Sequence, residues 1–178
     1  MKRERDRIIF KMQEIERKYL VKDISKLKLE SYEKKTIIQV YVYHDKITTI
    51  RKRMIEKDGN VKYVYTAKIG KIGKFSTEEI EKEISKELYD QIQPTTPVNV
   101  IKKNRYIIPI ENNLKIELDV FDNEFKGIIF AEVEFPSEEM AEKFVKPEWF
   151  GTELSRKITN NKMAHCSRNE IDKILNNY

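Results

Sequence analysis

Apolar and polar side chains alternate along most of this chain with the two-residue period of a β-strand. The alternating stretches are rich in β-branched and aromatic residues and cover residues 12 to 20, 35 to 43, 46 to 55, 61 to 69, 98 to 109, 113 to 121 and 127 to 135. Short turn signals separate them: His44-Asp45, Asp58-Gly59-Asn60, Glu111-Asn112-Asn113 and Asn123 to Gly127. Links this short join antiparallel neighbours, because parallel strands need a crossover of a dozen or more residues. The pattern predicts an antiparallel barrel or sandwich.

The stretch from Phe75 to Ile92 carries both periods. Ile80, Ile84, Leu88 and Ile92 recur at helical spacing, while Glu79, Glu81 and Glu83 alternate as on a strand. It reads as a strand to about Ile84, then a short helix capped by Ser85. Two more helices are predicted, one from Ser137 to Phe144 with Ser137 as N-cap and Glu138 or Glu139 in its first turn, the other from Asn169 to Leu175. The expected fold is mainly β with peripheral helices.

Composition narrows this picture. The 178 residues form one expected domain with no internal repeat or linker, and 37% charged against 39% hydrophobic residues with 5 Gly and 5 Pro excludes a disordered or low-complexity chain. The single cysteine, Cys166, cannot form an intrachain disulfide, and no apolar run approaches the roughly 18 residues of a membrane span. The opening MKRERDRIIF lacks the apolar core of a signal peptide, so the expected location is the cytoplasm, with no membrane partner. A net charge of +5 from 35 basic and 30 acidic residues is mostly an interspersed surface, so the position of charges must decide.

On a strand, residues i and i+2 share a face. Glu14 and Glu16 therefore share one with Lys18; Glu117 lies beside Asp119, and Glu132 beside Glu134. Arg51 and Arg53 pair in the same way, as do Lys103 and Arg105, and Lys68 ends the strand Tyr63 to Ala67. Any single pair fits the solvent face of a half-buried sheet. The repetition of same-sign pairs does not, because two carboxylates about 5 Å apart repel by roughly 3 kcal/mol at an effective dielectric near 20. A cation between them removes that cost, and oxygen-only ligands suit Mg²⁺ or Mn²⁺. Arginine forks suit phosphate oxygens. Acid and base lining one cavity point to metal-bound polyphosphate. Nucleic acid is disfavoured, because three acidic strands accompany the cationic ones.

The segment EIERK, from Glu14 to Lys18, resembles the ExExK signature of the CYTH or triphosphate tunnel metalloenzyme family. Further matches follow in family order: IRKR with Arg51 and Arg53, TAKIG with Lys68, EEIEKE with Glu79 and Glu81, KNRY with Lys103 and Arg105, IELDVF with Glu117 and Asp119, and AEVEFPSEE with Glu132 and Glu134. They cover about residues 12 to 155, leaving 1 to 11 as an expected N-terminal extension to a domain of residues 12 to 178. Two places depart from the pattern: Thr77 stands where members often carry Arg, and ITNNKMA resembles the usual ending only loosely.

The resemblance implies an eight-stranded antiparallel barrel forming a charged tunnel that hydrolyses a small triphosphate, with inorganic triphosphate favoured. Thiamine triphosphatase and class IV adenylyl cyclase share the tunnel, and a non-catalytic polyphosphate-binding or nucleic-acid-binding barrel is the reading from another class. By position, Glu14, Glu16, Glu132 and Glu134 are the implied metal ligands. Glu117 and Asp119 would help bind metal or orient water. Lys18, Arg51, Arg53, Lys68, Lys103 and Arg105 would contact the triphosphate, and Lys103 is also the candidate base if neighbouring cations depress its pKa. The expected assembly is a monomer or homodimer.

Overall fold

The computed structural model describes residues 8–70, 75–155 and 157–178, with side chains described from Gln13 onward. The described strands are β1 (Ile8–Leu20), β2 (Glu33–His44), β3 (Thr48–Lys57), β4 (Asn60–Ile69), β5 (Ser76–Ile84), β6 (Ile101–Pro109), β7 (Lys115–Phe121) and β8 (Ile129–Glu134). All pairings are antiparallel, and the order β1-β5-β4-β3-β2-β6-β7-β8 closes when β8 returns to β1. Closure satisfies both edges of every strand.

The predicted hairpins form where the turn residues accept a left-handed backbone. Asp58 and Gly59, with φ of 50° and 77°, join β3 to β4, and Asn112 and Asn113, with φ of 60° and 57°, lie between β6 and β7. Residues of this type adopt positive φ at the least cost, and such turns match the twist of the flanking strands. β3 starts at Thr48, two residues later than the pattern predicts, because the Asp45 carboxylate accepts from the backbone N–H groups of Ile47 and Thr48 at 2.8 and 2.6 Å. β6 starts at Ile101 instead of 98 because Asn99 is turned toward the C-terminal region, where its backbone N–H donates to Ala164 O and its side chain to Cys166 O.

The helices are short. α1 (Lys86–Gln91) begins at the predicted Ser85 cap and α2 (Glu138–Lys143) at the Ser137 cap. α3 (Asn160–His165), capped by Thr159, is not foreseen by the sequence pattern. α4 (Arg168–Leu175) starts from a capping box between Ser167 and Glu170.

The alternation sorts the barrel strands into two apolar regions. Outside, Ile15, Tyr19, Ile116, Leu118 and Val133 pack with Ala141 of α2 and with Phe150. Inside, the apolar residues gather at one end. Leu20, Ile101 and Phe130 lie two residues beyond Lys18, Lys103 and Glu132 on the same strand faces, and they meet Leu154, Ile158, Met163 of α3 and Ile171 of α4. The barrel therefore has an apolar floor plugged by the C-terminal segment, with the charged face above it.

Residues 1–7 of the expected extension lie outside the described residues, and Ile8 to Lys11 continue β1 in register with Lys82 to Glu79 of β5. Among the described residues no helix is long and apolar enough to cross a membrane.

Candidate active site

The barrel interior encloses a cavity of about 850 Å³. Its wall carries Glu14, Glu16 and Lys18 from β1, Arg51 and Arg53 from β3, Lys68 from β4, Lys103 and Arg105 from β6, Glu117 from β7, and Glu132 and Glu134 from β8. The structure thus brings together every residue singled out from the sequence, with Asp119 alone not lining the cavity: it has no exposed surface and is bonded to Lys103 and Arg105. Register explains the grouping: Glu16 lies opposite Glu134 and Lys18 opposite Glu132 across β1 and β8, and Glu117 lies opposite Glu132 across β7 and β8.

Two acid–base clusters face the cavity. In the first, Arg105 donates from Nε and Nη2 to the two Asp119 oxygens at 2.6 and 2.7 Å, to Glu132 at 2.8 Å, and also to Glu117. Lys103 donates to Asp119, and the Lys18 ammonium lies 2.8 Å from Glu132. In the second, Lys68 bonds Glu14 and sits 3.1 Å from Glu79, Arg51 lies 3.8 Å from Glu79, and Arg53 donates to Glu81 and, at 3.0 Å, to Thr66 Oγ1.

Burial and neighbouring charge then set the ionisation of each group. Burial, reinforced by Arg105, lowers Lys103 to about 8, although Asp119 and Glu132 pull the other way. Burial together with Arg51 lowers Arg53 to about 10. Burial opposes ionisation of Glu117 and Glu132, but cations outweigh it: Arg105 takes Glu117 down to about 2, and Lys18 and Arg105 hold Glu132 well below the usual carboxylate range. Glu16 goes the opposite way. Desolvation by the walls, with Glu132 and Glu14 adding repulsion, raises its carboxyl despite Lys68. It makes no ion pair or side-chain hydrogen bond with a described residue, and the pull of Lys68 and Lys18 does not offset the burial that disfavours its charged form.

Sequence reasoning did not foresee several other wall residues. Gln39 and Tyr41 line the cavity from β2 and Asn160 and Asn161 from α3. Glu79 and Glu81 also belong to the wall, as partners of cations. Strand alternation could have placed Gln39 and Tyr41 on one face, but nothing local shows that this face is the inner one. His44 and His165 stack with ring centroids 4.0 Å apart, a contact between β2 and α3, which lie far apart in sequence.

A closed antiparallel barrel with acids and bases interleaved on its inner wall is the architecture of a tunnel-type phosphate-handling domain. The chain belongs to the CYTH domain family, which matches residues 12–167. It is 34% identical over 83 residues to the inorganic triphosphatase of Nitrosomonas europaea, a match covering 47% of this chain and 55% of that protein. It is 31% identical over 118 residues to the inorganic triphosphatase of Acetivibrio thermocellus, covering 66% of this chain and 70% of that one. The crystal structure of the inorganic triphosphatase NE1496 superposes with a TM-score of 0.58 at 27% identity, covering 86% of this chain and 95% of the other.

The family implies a divalent metal ion, and the donor set fits one. Glu14, Glu16, Glu132 and Glu134 offer only carboxylate oxygens, the ligands hard cations take, and a cation beside Glu16 would favour the ionised form that burial, Glu132 and Glu14 oppose. Among the described residues no three carboxylates converge as a finished metal cage does. Instead Lys68 is bonded to Glu14 and Lys18 to Glu132.

Proposed function

We propose that the protein hydrolyses inorganic triphosphate to pyrophosphate and phosphate. The observation that carries this reading is the set of cations, Lys18, Arg51, Arg53, Lys68, Lys103 and Arg105, which converges on one cavity beside the carboxylates of β1 and β8. Phosphoryl transfer needs charge neutralisation and in-line positioning more than covalent chemistry, so this inventory is chemically sufficient. Two relatives named as inorganic triphosphatases support the choice of substrate.

Mg²⁺ or Mn²⁺, held by Glu14, Glu16, Glu132 and Glu134, would supply neutralisation of phosphate charge. Arg51, Arg53, Lys68, Lys18 and Arg105 bind the phosphate oxygens, exchanging carboxylate partners for substrate. Water forms a bond to a terminal phosphorus as the bridging P–O bond breaks, and pyrophosphate leaves with the electron pair. The water's proton passes to the neutral amine of Lys103, whose pKa near 8 leaves a useful fraction deprotonated at physiological pH. The fully buried Asp119 holds Lys103 and Arg105 in place, and Glu117 holds Arg105 from the cavity side.

The catalytic unit in this reading is residues 12 to 178, working in the cytoplasm. A substrate panel of tripolyphosphate, ATP, thiamine triphosphate and pyrophosphate, assayed with Mg²⁺ and with Mn²⁺, tests it. Tripolyphosphate is expected to give the highest kcat/KM, and preference for a nucleoside or thiamine triphosphate would overturn the substrate assignment.

A further inference from the structure

Gln39 is 1% exposed, lines the cavity from β2, and its side-chain Nε2 has no hydrogen-bond partner. It lies directly opposite Arg53 in the ladder between β2 and β3. The Nε atoms of Arg51 and Arg53 are likewise buried and without partners. Buried donors in a native fold are nearly always satisfied, so a group of orphans on adjoining strands calls for a ligand that supplies acceptors. Facing pairs on such a ladder hold their Cβ atoms about 5 Å apart, close enough for two side chains to grip one group.

From this convergence we infer that Gln39 is a ligand of the substrate, its amide donating to a phosphoryl oxygen in a subsite shared with Arg51 and Arg53. The inference deepens the triphosphatase reading and rests on it for the identity of the anion. Unpaired N–H donors on three side chains lining one cavity select an acceptor-rich group, and a phosphoryl group presents oxygens in several directions at once. A neutral donor is also the one the site can tolerate. Arg53 is already lowered to about 10 by burial and by Arg51, so a third cation at position 39 would add to that repulsion. An amide adds a hydrogen bond without adding charge.

The test compares wild type with Gln39→Met, which keeps length and removes both donors, and Gln39→Glu, which keeps shape and replaces the donors with an anion. Hydrolysis of tripolyphosphate and the thermal stabilisation it confers in EDTA are both measured. Gln39→Met is expected to melt, without ligand, at or above the wild-type temperature, since an unpaired buried donor is gone. Its kcat/KM should fall about ten- to a hundredfold, and its stabilisation by tripolyphosphate should shrink. Gln39→Glu should lose more on both readouts, and it decides the matter if Gln39→Met does not fold. Unchanged kinetics and unchanged stabilisation overturn the inference, as does a lowered melting temperature in the absence of ligand with intact stabilisation, which marks a structural amide. If wild type is stabilised by tripolyphosphate but does not hydrolyse it, and the variants lose that stabilisation, the hydrolytic reading fails while the ligand role of Gln39 stands.

Discussion

The ammonium of Lys103 rests on the carboxylate of Asp119, and the two side chains are sealed from solvent at 2% and 0% exposure. Burial and Arg105 lower this lysine to about 8, while Asp119 favours its ammonium and holds it in place. As the active form is the neutral amine, kcat/KM should rise with pH and level off above about 8. Lys103→Arg, which keeps a cation but cannot give up its proton at these pH values, should lose that limb and about a hundredfold or more in rate. A pH–rate profile of both proteins checks this, and a limb that survives in the variant would assign it to another group.

Arg53 supplies the second lesson about buried charge. Its partners are Glu81 and Thr66, and its Nε points to no acceptor. Arg53→Ala should weaken tripolyphosphate turnover by at least about tenfold, because a charge-assisted hydrogen bond is worth roughly 1.5 to 3 kcal/mol. Steady-state kinetics that match wild type would show that the guanidinium does not touch substrate.

Glu16 predicts a conflict between stability and function. Its carboxyl is raised by burial and by the acids beside it, so without metal Glu16→Gln should melt at or above the wild-type temperature. Saturating Mg²⁺ should reverse the order, since only the wild type gains the full binding free energy in its folded state. Melting curves in EDTA and in Mg²⁺ settle the assignment. The same deficit under both conditions would make Glu16 a structural residue.

The strand pairs of Ile8 to Lys11 with β5 give the N-terminal boundary a physical content. A protein starting at Met12 should keep its triphosphatase activity, because the described wall begins at Glu14, but melt lower for want of those ladder pairs. Calorimetry and an activity assay on the shortened protein check both halves. Loss of activity in folded protein would place residues 1 to 11 in the working unit.

Much of this barrel was readable because alternation is a local signal. Glu14, Glu16 and Lys18 declare a shared face by spacing alone, and Asp58-Gly59 declares a hairpin by its tolerance of positive φ. The cap residues Ser85 and Ser137 act within one turn of chain and were equally legible. α3 was not, because a six-residue helix beginning Asn-Asn-Lys has too few turns to show a period and is held by packing of Met163 on the barrel floor. Gln39 escaped for a related reason. A neutral polar residue among apolar neighbours carries no charge pattern, and only the assembled barrel shows that it lines the same cavity as Arg51 and Arg53. Asp119 shares a strand face with Glu117 as spacing requires, but spacing does not show that Lys103 and Arg105 take up its carboxylate and leave it with no exposed surface.

Whether this cavity hydrolyses tripolyphosphate with a divalent metal is decided by the release of phosphate from tripolyphosphate with Mg²⁺ or Mn²⁺, before and after exhaustive EDTA treatment. Turnover that disappears with EDTA and returns on adding metal is the predicted result. Full hydrolysis without divalent metal, or no hydrolysis of tripolyphosphate with it, would show that the cavity is not a metal-dependent triphosphatase site.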